Sequence, residues 1–532
     1  MKRVLATVAV LLAALTGSPE RAAVGTALAA VPAPDVFPAI PEVRSSHGIA
    51  KLELYVVLDP VSGAATFEYD GVTGVAPTIR VQPGDLIDLT VHDDARATKG
   101  RPNDVNIHFH GLTVAPSPPG DDVVTTLAHP GQTLHYRVRV PRDHEPGLYW
   151  YHPHAHGETY DQVVTGMSGA LIVDGLQEHL PALRAMRERV IVLRDVPTGA
   201  IPSDEDMPMN GMAPMNGMGS MRGMAAAHVA RNGKPCRAED GLRPTLNRQP
   251  RAQIGIRPGE QQFFRVVNAS AARYFDLSVD RTALELVARD GFPLDAYPGT
   301  PATMMVRHVF LSPGARAEFV VTAPDGPTVL RSACVDAGRT GDADPAAILA
   351  DLDDPDRLLH RHDSGDPGAA RSRFAPLTLA VGRALPHGWY ARPPPRPAVR
   401  RIVRFTEDAD GFYINGKAFA MRDMHGPPSI VARSGTVEEW TIVNQTDEVH
   451  AFHIHQVHFV TEAVNGRRVA PPTWADTVNV PVRRRLRGGA FVPGTARLLL
   501  DFRDPVVRGT FVYHCHLLDH EDAGMMATIR VI

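Results

Sequence analysis

Cysteine is nearly absent. Three residues in 532, at positions 236, 334 and 515, cannot staple a chain of this length, so a disulfide scaffold is excluded. No charge of one sign dominates either. With 55 basic and 59 acidic residues the net charge is −4. Without a basic field, nucleic acid is not an expected partner. Long hydrophobic runs are missing too. Val4 to Leu15 is too short to cross a hydrocarbon core of about 30 Å, and no membrane insertion is expected. Helical patterning is scarce, with Gln177 to Arg189 and Ala346 to His360 the only candidates.

The start of the chain has the three parts of an export signal in order. Lys2 and Arg3 are basic, Val4 to Leu15 is apolar, and Ala27-Leu28-Ala29 is a cleavage-type triplet. Residues 1–30 therefore read as a secretory signal without a twin-arginine pair, and the mature protein is expected in the periplasm or secreted.

Gly (45) and Pro (47) are together about one residue in six, above the usual level of about 12%. Many turns and short segments follow, which favours an all-β fold. A turn signal followed by a strand recurs near Pro83-Gly84, Pro258-Gly259, Ser434-Gly435 and Pro493-Gly494. The predicted strands include Glu260 to Asn268, Glu438 to Asn444, Ala496 to Phe502 and Gly509 to His516. The repetition suggests one β-sandwich used several times. The expected units are 43–178, 179–392 and 393–532. Ala391 to Ala398 serves as a proline-stiffened linker, and Gly338 to Ser372 reads as a surface excursion.

Histidine (24) and methionine (16) are the residues in surplus. Methionines 207, 209, 212, 215, 218, 221 and 224 recur at almost strict spacing of three, among Gly and Pro that forbid a stable helix. This loop, 207–224, reads either as a flexible insertion or as a collector of Cu(I), for which a thioether is a suitably soft ligand.

Four histidine clusters carry the chemistry: His108-x-His110, His152-x-His154, His450-x-x-His453-x-His455, and His514-Cys515-His516 with His520 and Met525 behind it. On a strand, alternate side chains face opposite ways. Cys515 then points away from His514 and His516. A thiolate, two imidazoles and a weak thioether form the ligand set of a blue type 1 copper, and His450 and His520 are the candidate imidazoles beside Met525. Each cluster also supplies one i, i+2 pair: 108/110, 152/154, 453/455 and 514/516. Eight imidazoles suit a trinuclear copper cluster. Zinc prefers closed four-ligand sites and has no use for an axial Met. Neighbouring ligands on one strand place the two centres on the order of 12–13 Å apart.

These motifs resemble those of the multicopper oxidases, the family of laccases, cuprous oxidases, ferroxidases and bilirubin oxidases. The likeness spans HFHG at 108–111, WYHPHAHG at 150–157, HAFHIH at 450–455 and HCHLLDHEDAGMM at 514–526. It implies three cupredoxin-like Greek-key β-sandwich domains and four copper ions: one type 1, one type 2 and a type 3 pair. By resemblance, His108 and His453 hold the type 2 copper. His110, His152, His154, His455, His514 and His516 hold the type 3 pair. His450, Cys515 and His520 hold type 1, with Met525 axial. The family also implies two acids that move protons. Glu521 matches one by position; Asp121, ahead of Asp122, matches the other.

The implied activity couples one-electron oxidation of a substrate to four-electron reduction of O2 to water. The donor is a phenolic or aromatic molecule, as in a laccase, or Cu(I). A non-enzymatic periplasmic copper store is the alternative. A monomer is expected. Cys236 and Cys334 lie in the middle unit, either paired or as separate thiols.

Overall fold

The computed structural model describes residues 37–60, 62–96, 102–197, 242–333, 335, 337, 347–353, 379–385, 390 and 392–532. The expected export signal at 1–30, the methionine-rich run at 207–224, Cys236 and Cys334 lie outside these residues.

Strand Ile49–Leu58 alternates buried and exposed side chains almost without fault, Ala50, Leu52, Leu54 and Val56 pointing inward. That period of two makes it the centre of a five-stranded sheet. In spatial order the strands are Val72–Thr73, Ala65–Tyr69, Ile49–Leu58, Leu86–Asp93 and Thr133–Arg139. A four-stranded sheet of Glu42–Arg44, Thr78–Val81, Gly169–Val173 and Gly147–Tyr151 completes the first sandwich. Every residue of Gly147–Tyr151 and Gly169–Val173 is buried, as expected where a sheet is covered on both faces.

The second and third sandwiches repeat one plan, each pairing a seven-stranded with a five-stranded sheet. In the third, the larger sheet runs Gly411–Ile414, Val399–Asp408, Val437–Asn444, Gly494–Asp501, Phe459–Val464 and then short edge strands. The smaller runs Ile430–Ala432, Met526–Val531, Gly509–Cys515, His450–Ile454 and Thr477–Val480. Three separate apolar clusters fill the three sandwiches. The protein is therefore all-β, three cupredoxin-like Greek-key sandwiches. Among the described residues no helix is long and apolar enough to cross a membrane.

The four expected strands are present within two residues of their predicted ends, as Gln261–Asn268, Val437–Asn444, Gly494–Asp501 and Gly509–Cys515. Both helix expectations need correcting. Gln177 to Arg189 holds only a short helix, Leu176–His179, and a 3₁₀ turn, Pro181–Ala185. Pro181 cannot continue the first helix. The chain then enters strand Arg187–Pro197, held parallel to Gln261–Asn268 despite its helix-favouring Glu and Arg. Ala346 to His360 contains strand Ala347–Asp353, with Leu349, Ala350 and Leu352 buried. It pairs with Thr328–Ala333 and Ala252–Gly255, so part of the segment read as a surface excursion is core sheet. In both cases sheet pairing overrides local propensity.

Candidate metal centres

Strands His450–Ile454 and Gly509–Cys515 are antiparallel neighbours, with His453 opposite His514 and Phe452 opposite Cys515. The pleat sends His453 and His514 to one face and Cys515 to the other. The first sandwich brings His108 and His152 together in an isolated bridge, with His108 N–H donating to His152 O at 2.8 Å. His108-His110 and His152-His154 therefore meet in irregular extended chain rather than in a full strand.

On the face turned into the third sandwich's core, three donor atoms converge. Cys515 Sγ lies 3.5 Å from His450 Nδ1 and 3.9 Å from His520 Nδ1, and the two nitrogens are 3.2 Å apart. The short helix Leu518–Asp522 brings His520 back to the strand end. Met525 is fully buried in the same core, and its main chain is tied to both neighbours. Cys515 N–H donates to Met525 O, and Met525 N–H donates to His520 O. Phe412 stacks on His520 at 4.1 Å, covering one side of the site. Burial pushes the Cys515 thiol up, so ionising it requires a cation close by.

On the other side, His108, His110, His152, His154, His453, His455, His514 and His516 are all fully buried and form one cluster between the first and third sandwiches. His108 stacks on His455 at 3.6 Å and His110 on His453 at 3.9 Å. His514 Nε2 is 3.2 Å from His154 Nε2 and 3.3 Å from His455 Nε2. His110 Nδ1 is 3.3 Å from His516 Nε2. Three of the remaining ring nitrogens are committed outward. Nδ1 of His152 donates to Pro153 O, that of His453 to Asp476 O, and that of His514 to Cys515 O. Their Nε2 lone pairs therefore face inward. Nε2 of His108, His152 and His453 finds no hydrogen-bond partner.

Burial, then mutual repulsion, holds His108, His152, His453, His455 and His516 well below the ordinary imidazole range. Burial brings His154 and His110 down to about 4, against opposition from Glu521 and Asp476 respectively. Neutral imidazoles with convergent lone pairs cannot satisfy one another. Cations bound by nitrogen can, and this donor set beside a Cys/His₂ site suits copper.

The two expected acids both reach the cluster. Glu521 Oε2 is 3.0 Å from His514 Nδ1, and Oε1 is 3.5 Å from His154 Nδ1. Burial opposes its ionisation, yet His154 and His514 hold the carboxyl down at about 2. Asp121 accepts from His108 Nδ1 at 3.0 Å, from Phe109 N–H and from Gln456 Nε2 at 2.6 Å. Burial pushes it up to about 8. Asp122 instead caps its own turn, accepting from the main-chain N–H groups of Val124 and Thr125.

Two neighbours, Asp476 and Gln456, carried no sequence signal, and a third, Trp150, lies in the WYHPHAHG run without a role assigned to it. Asp476 touches His110 Nε2 at 3.3 Å and is one of many acids in the chain. Trp150 stacks on His152 at 4.2 Å. Gln456 holds Asp121 from the opposite sandwich. His156, in the same run as His152 and His154, turns aside against Phe419.

Two family models, each described as multicopper oxidase, match residues 65–178 and 391–532. The chain is similar to the multicopper oxidase mco of Staphylococcus aureus, 21% identical over 88% of this chain and 84% of that protein. It is also similar to the laccase of Bacillus subtilis (strain 168), 24% identical over 84% of this chain and 83% of the laccase. A solved structure from Campylobacter jejuni, titled a multicopper oxidase and a metallo-oxidase, superposes with a TM-score of 0.68 at 22% identity. It covers 94% of this chain and 96% of its own.

Proposed function

The chain belongs to the multicopper oxidases, and on that premise we propose that it oxidises a small one-electron donor and reduces O2 to water with four copper ions. His450, Cys515 and His520, with Met525, would hold the type 1 ion. His108 and His453 hold the type 2 ion. His110, His152, His154, His455, His514 and His516 hold the type 3 pair. When bound, copper supplies one-electron redox chemistry, matching donors that yield electrons singly to an acceptor that needs four. The observation that carries this reading is the junction at residues 514–516, where one short segment serves both donor sets from opposite faces.

The protein's own residues supply the rest. The two sandwiches exclude bulk water from the eight imidazoles. His514 and Cys515 are covalently adjacent, and His514 Nδ1 donates to Cys515 O at 2.9 Å, so main chain and hydrogen bond together link the two sites. Glu521 contacts His154 and His514 and, as a carboxylate, is the group to accept protons and pass them on there. Asp121, raised by burial and bonded to His108, is the second.

The donor is phenolic or aromatic in the laccase-like reading. The methionine run at 207–224 favours a second reading, in which Cu(I) is oxidised and thioethers raise its local concentration. The signal-like start supports export to the periplasm or beyond, and we take the chain to be a monomer. A store of copper needs no such pairing of two donor sets.

The deciding experiment is metal analysis and O2 consumption on fully copper-loaded protein, with a phenol, Fe(II) and Cu(I) as donors. Zinc, or a single copper per chain, would overturn the assignment. Deleting 207–224 separates the donors: slower Cu(I) oxidation with phenol oxidation intact supports the second reading, and unchanged Cu(I) oxidation removes it.

A further inference from the structure

Among the described residues the middle sandwich contributes no histidine to the cluster, yet it sends Arg316 toward it. Arg316 begins strand Arg316–Thr322 and is fully buried. A buried guanidinium is costly unless its donors are matched. Here its partner lies in another sandwich. Nη1 donates to Asp476 Oδ1 at 2.8 Å and Nη2 to Asp476 Oδ2 at 2.6 Å, a two-pronged contact with the carboxylate that precedes strand Thr477–Val480. Nε donates to Leu148 O of the first sandwich at 3.2 Å, and Nη1 also to Gly314 O at 3.1 Å. One side chain therefore touches all three sandwiches.

Asp476 in turn sets two imidazoles. Its carboxylate accepts from His110 Nε2 at 3.3 Å, and its main-chain oxygen accepts from His453 Nδ1 at 2.9 Å. His110 is left to present Nδ1 and His453 to present Nε2. His110, His453 and Asp476 bring their donor atoms close enough to suggest a metal site of their own. The Arg316 fork argues against that, because it already engages both carboxylate oxygens.

The chain keeps the approach clear. A Cβ at Gly111 would lie within 2.7 Å of Asp476 Oδ2 and closer still to Arg316 Nη2. Two other fully buried arginines stay closer to home. Arg265 pairs with Glu188 and Glu318, and Arg273 with Asp195, all within the middle sandwich.

We propose that Arg316 is a positioning residue for the trinuclear site, holding Asp476 so that His110 and His453 each offer the correct ring nitrogen to copper. The inference rests on the copper assignment proposed above. It gives the middle sandwich a part in the chemistry of a site whose imidazoles all lie outside it.

The test compares Arg316→Met, Arg316→Lys and Asp476→Asn with the unaltered protein, all copper-loaded. Three quantities are read: copper retained against a graded chelator, the electron paramagnetic resonance of the cluster copper, and the visible absorption of the Cys515 site. Arg316→Met should weaken copper retention at the cluster by roughly 10- to 100-fold and alter its resonance, while the Cys515 absorption stays as it was. Arg316→Lys keeps the charge but cannot fork, and should recover only part of the loss. Asp476→Asn should reproduce the Arg316→Met phenotype, and the double variant should be no worse than either single one.

A lowered melting temperature with unchanged cluster resonance and copper retention would make Arg316 a mere interface staple and overturn the proposal. Additive losses in the double variant would do the same. If Arg316→Met does not fold, Arg316→Lys and Asp476→Asn still decide it by the same two readouts. A control protein lacking cluster copper would instead refute the copper assignment itself.

Discussion

His154 Nε2 lies 3.2 Å from His514 Nε2, joining the first sandwich to the third one residue away from Cys515. Replacing His154 by Ala removes a cluster donor and leaves His450, Cys515 and His520 untouched. Under anaerobic conditions a donor should still bleach the Cys515 absorption, but admitting O2 should not restore it. Normal O2 turnover in this variant would show that the ligands are partitioned wrongly.

Cys515→Ser should abolish the visible colour and the oxidase activity. The side chains are nearly equal in size, and Cys515 sits among apolar neighbours in the third core, so the sheets should survive. Circular dichroism that matches the unaltered protein, together with a colourless copper-loaded sample, is the expected pair of results.

Glu521→Gln keeps the shape of a fully buried side chain between His154 and His514 but cannot carry a proton. Loss of a positioned acid typically costs on the order of 10²-fold or more. The loss should fall on the O2-consuming half of the cycle, while stopped-flow reduction of the Cys515 site by donor keeps its rate. Equal slowing of both halves would mean a structural role only.

Acid should loosen the contact between the first two sandwiches. Glu188 of the second sandwich meets Arg80 of the first and Arg265 of its own. Burial opposes its ionisation, but Arg265 and Arg80 together bring it down to about 2. A carboxyl depressed in the folded state stabilises above its unfolded value near 4.5, and that contribution fades as pH falls toward 2. It is on the order of 2–3 kcal/mol at neutral pH. Melting temperature measured against pH should fall over this window, and Glu188→Gln should flatten the fall while lowering the neutral value.

Gly314→Ala tests how tightly the middle sandwich abuts the cluster. Gly314 has φ +82, and an added Cβ would sit 2.9 Å from His516 and 3.0 Å from His110. Backbone strain of about 1–2 kcal/mol adds to the clash. The variant should lose cluster copper more readily than the Cys515 copper in chelator titrations. Identical loss from both centres would place the damage elsewhere.

The copper-type donor set is legible in the sequence because it is written in local spacing. His514-Cys515-His516 alternates on a strand, and His520 and Met525 follow within reach of its end. The strands were readable for a related reason. Turn signals such as Pro258-Gly259 and the β-branched, aromatic run behind them act over a few residues, and local signals survive in a sequence. The two helix expectations failed where local preference was outvoted. Glu188 and Arg189 favour a helix, but their strand is held by Gln261–Asn268, more than seventy residues away.

By itself, then, the sequence determined the strand-rich class, the family and the residue types offered to copper. Each depends on spacing within a few positions or on composition. Only the tertiary structure decided which nitrogen each imidazole turns inward, that Asp121 rather than Asp122 meets His108, and that Arg316 reaches Asp476. Those choices rest on contacts between segments from 160 to 406 residues apart: His110 with His516, Gln456 with Asp121, Arg316 with Asp476. A hydrogen bond acts over about 3 Å of space, and the order of residues along a chain does not reveal which distant groups folding will bring that close.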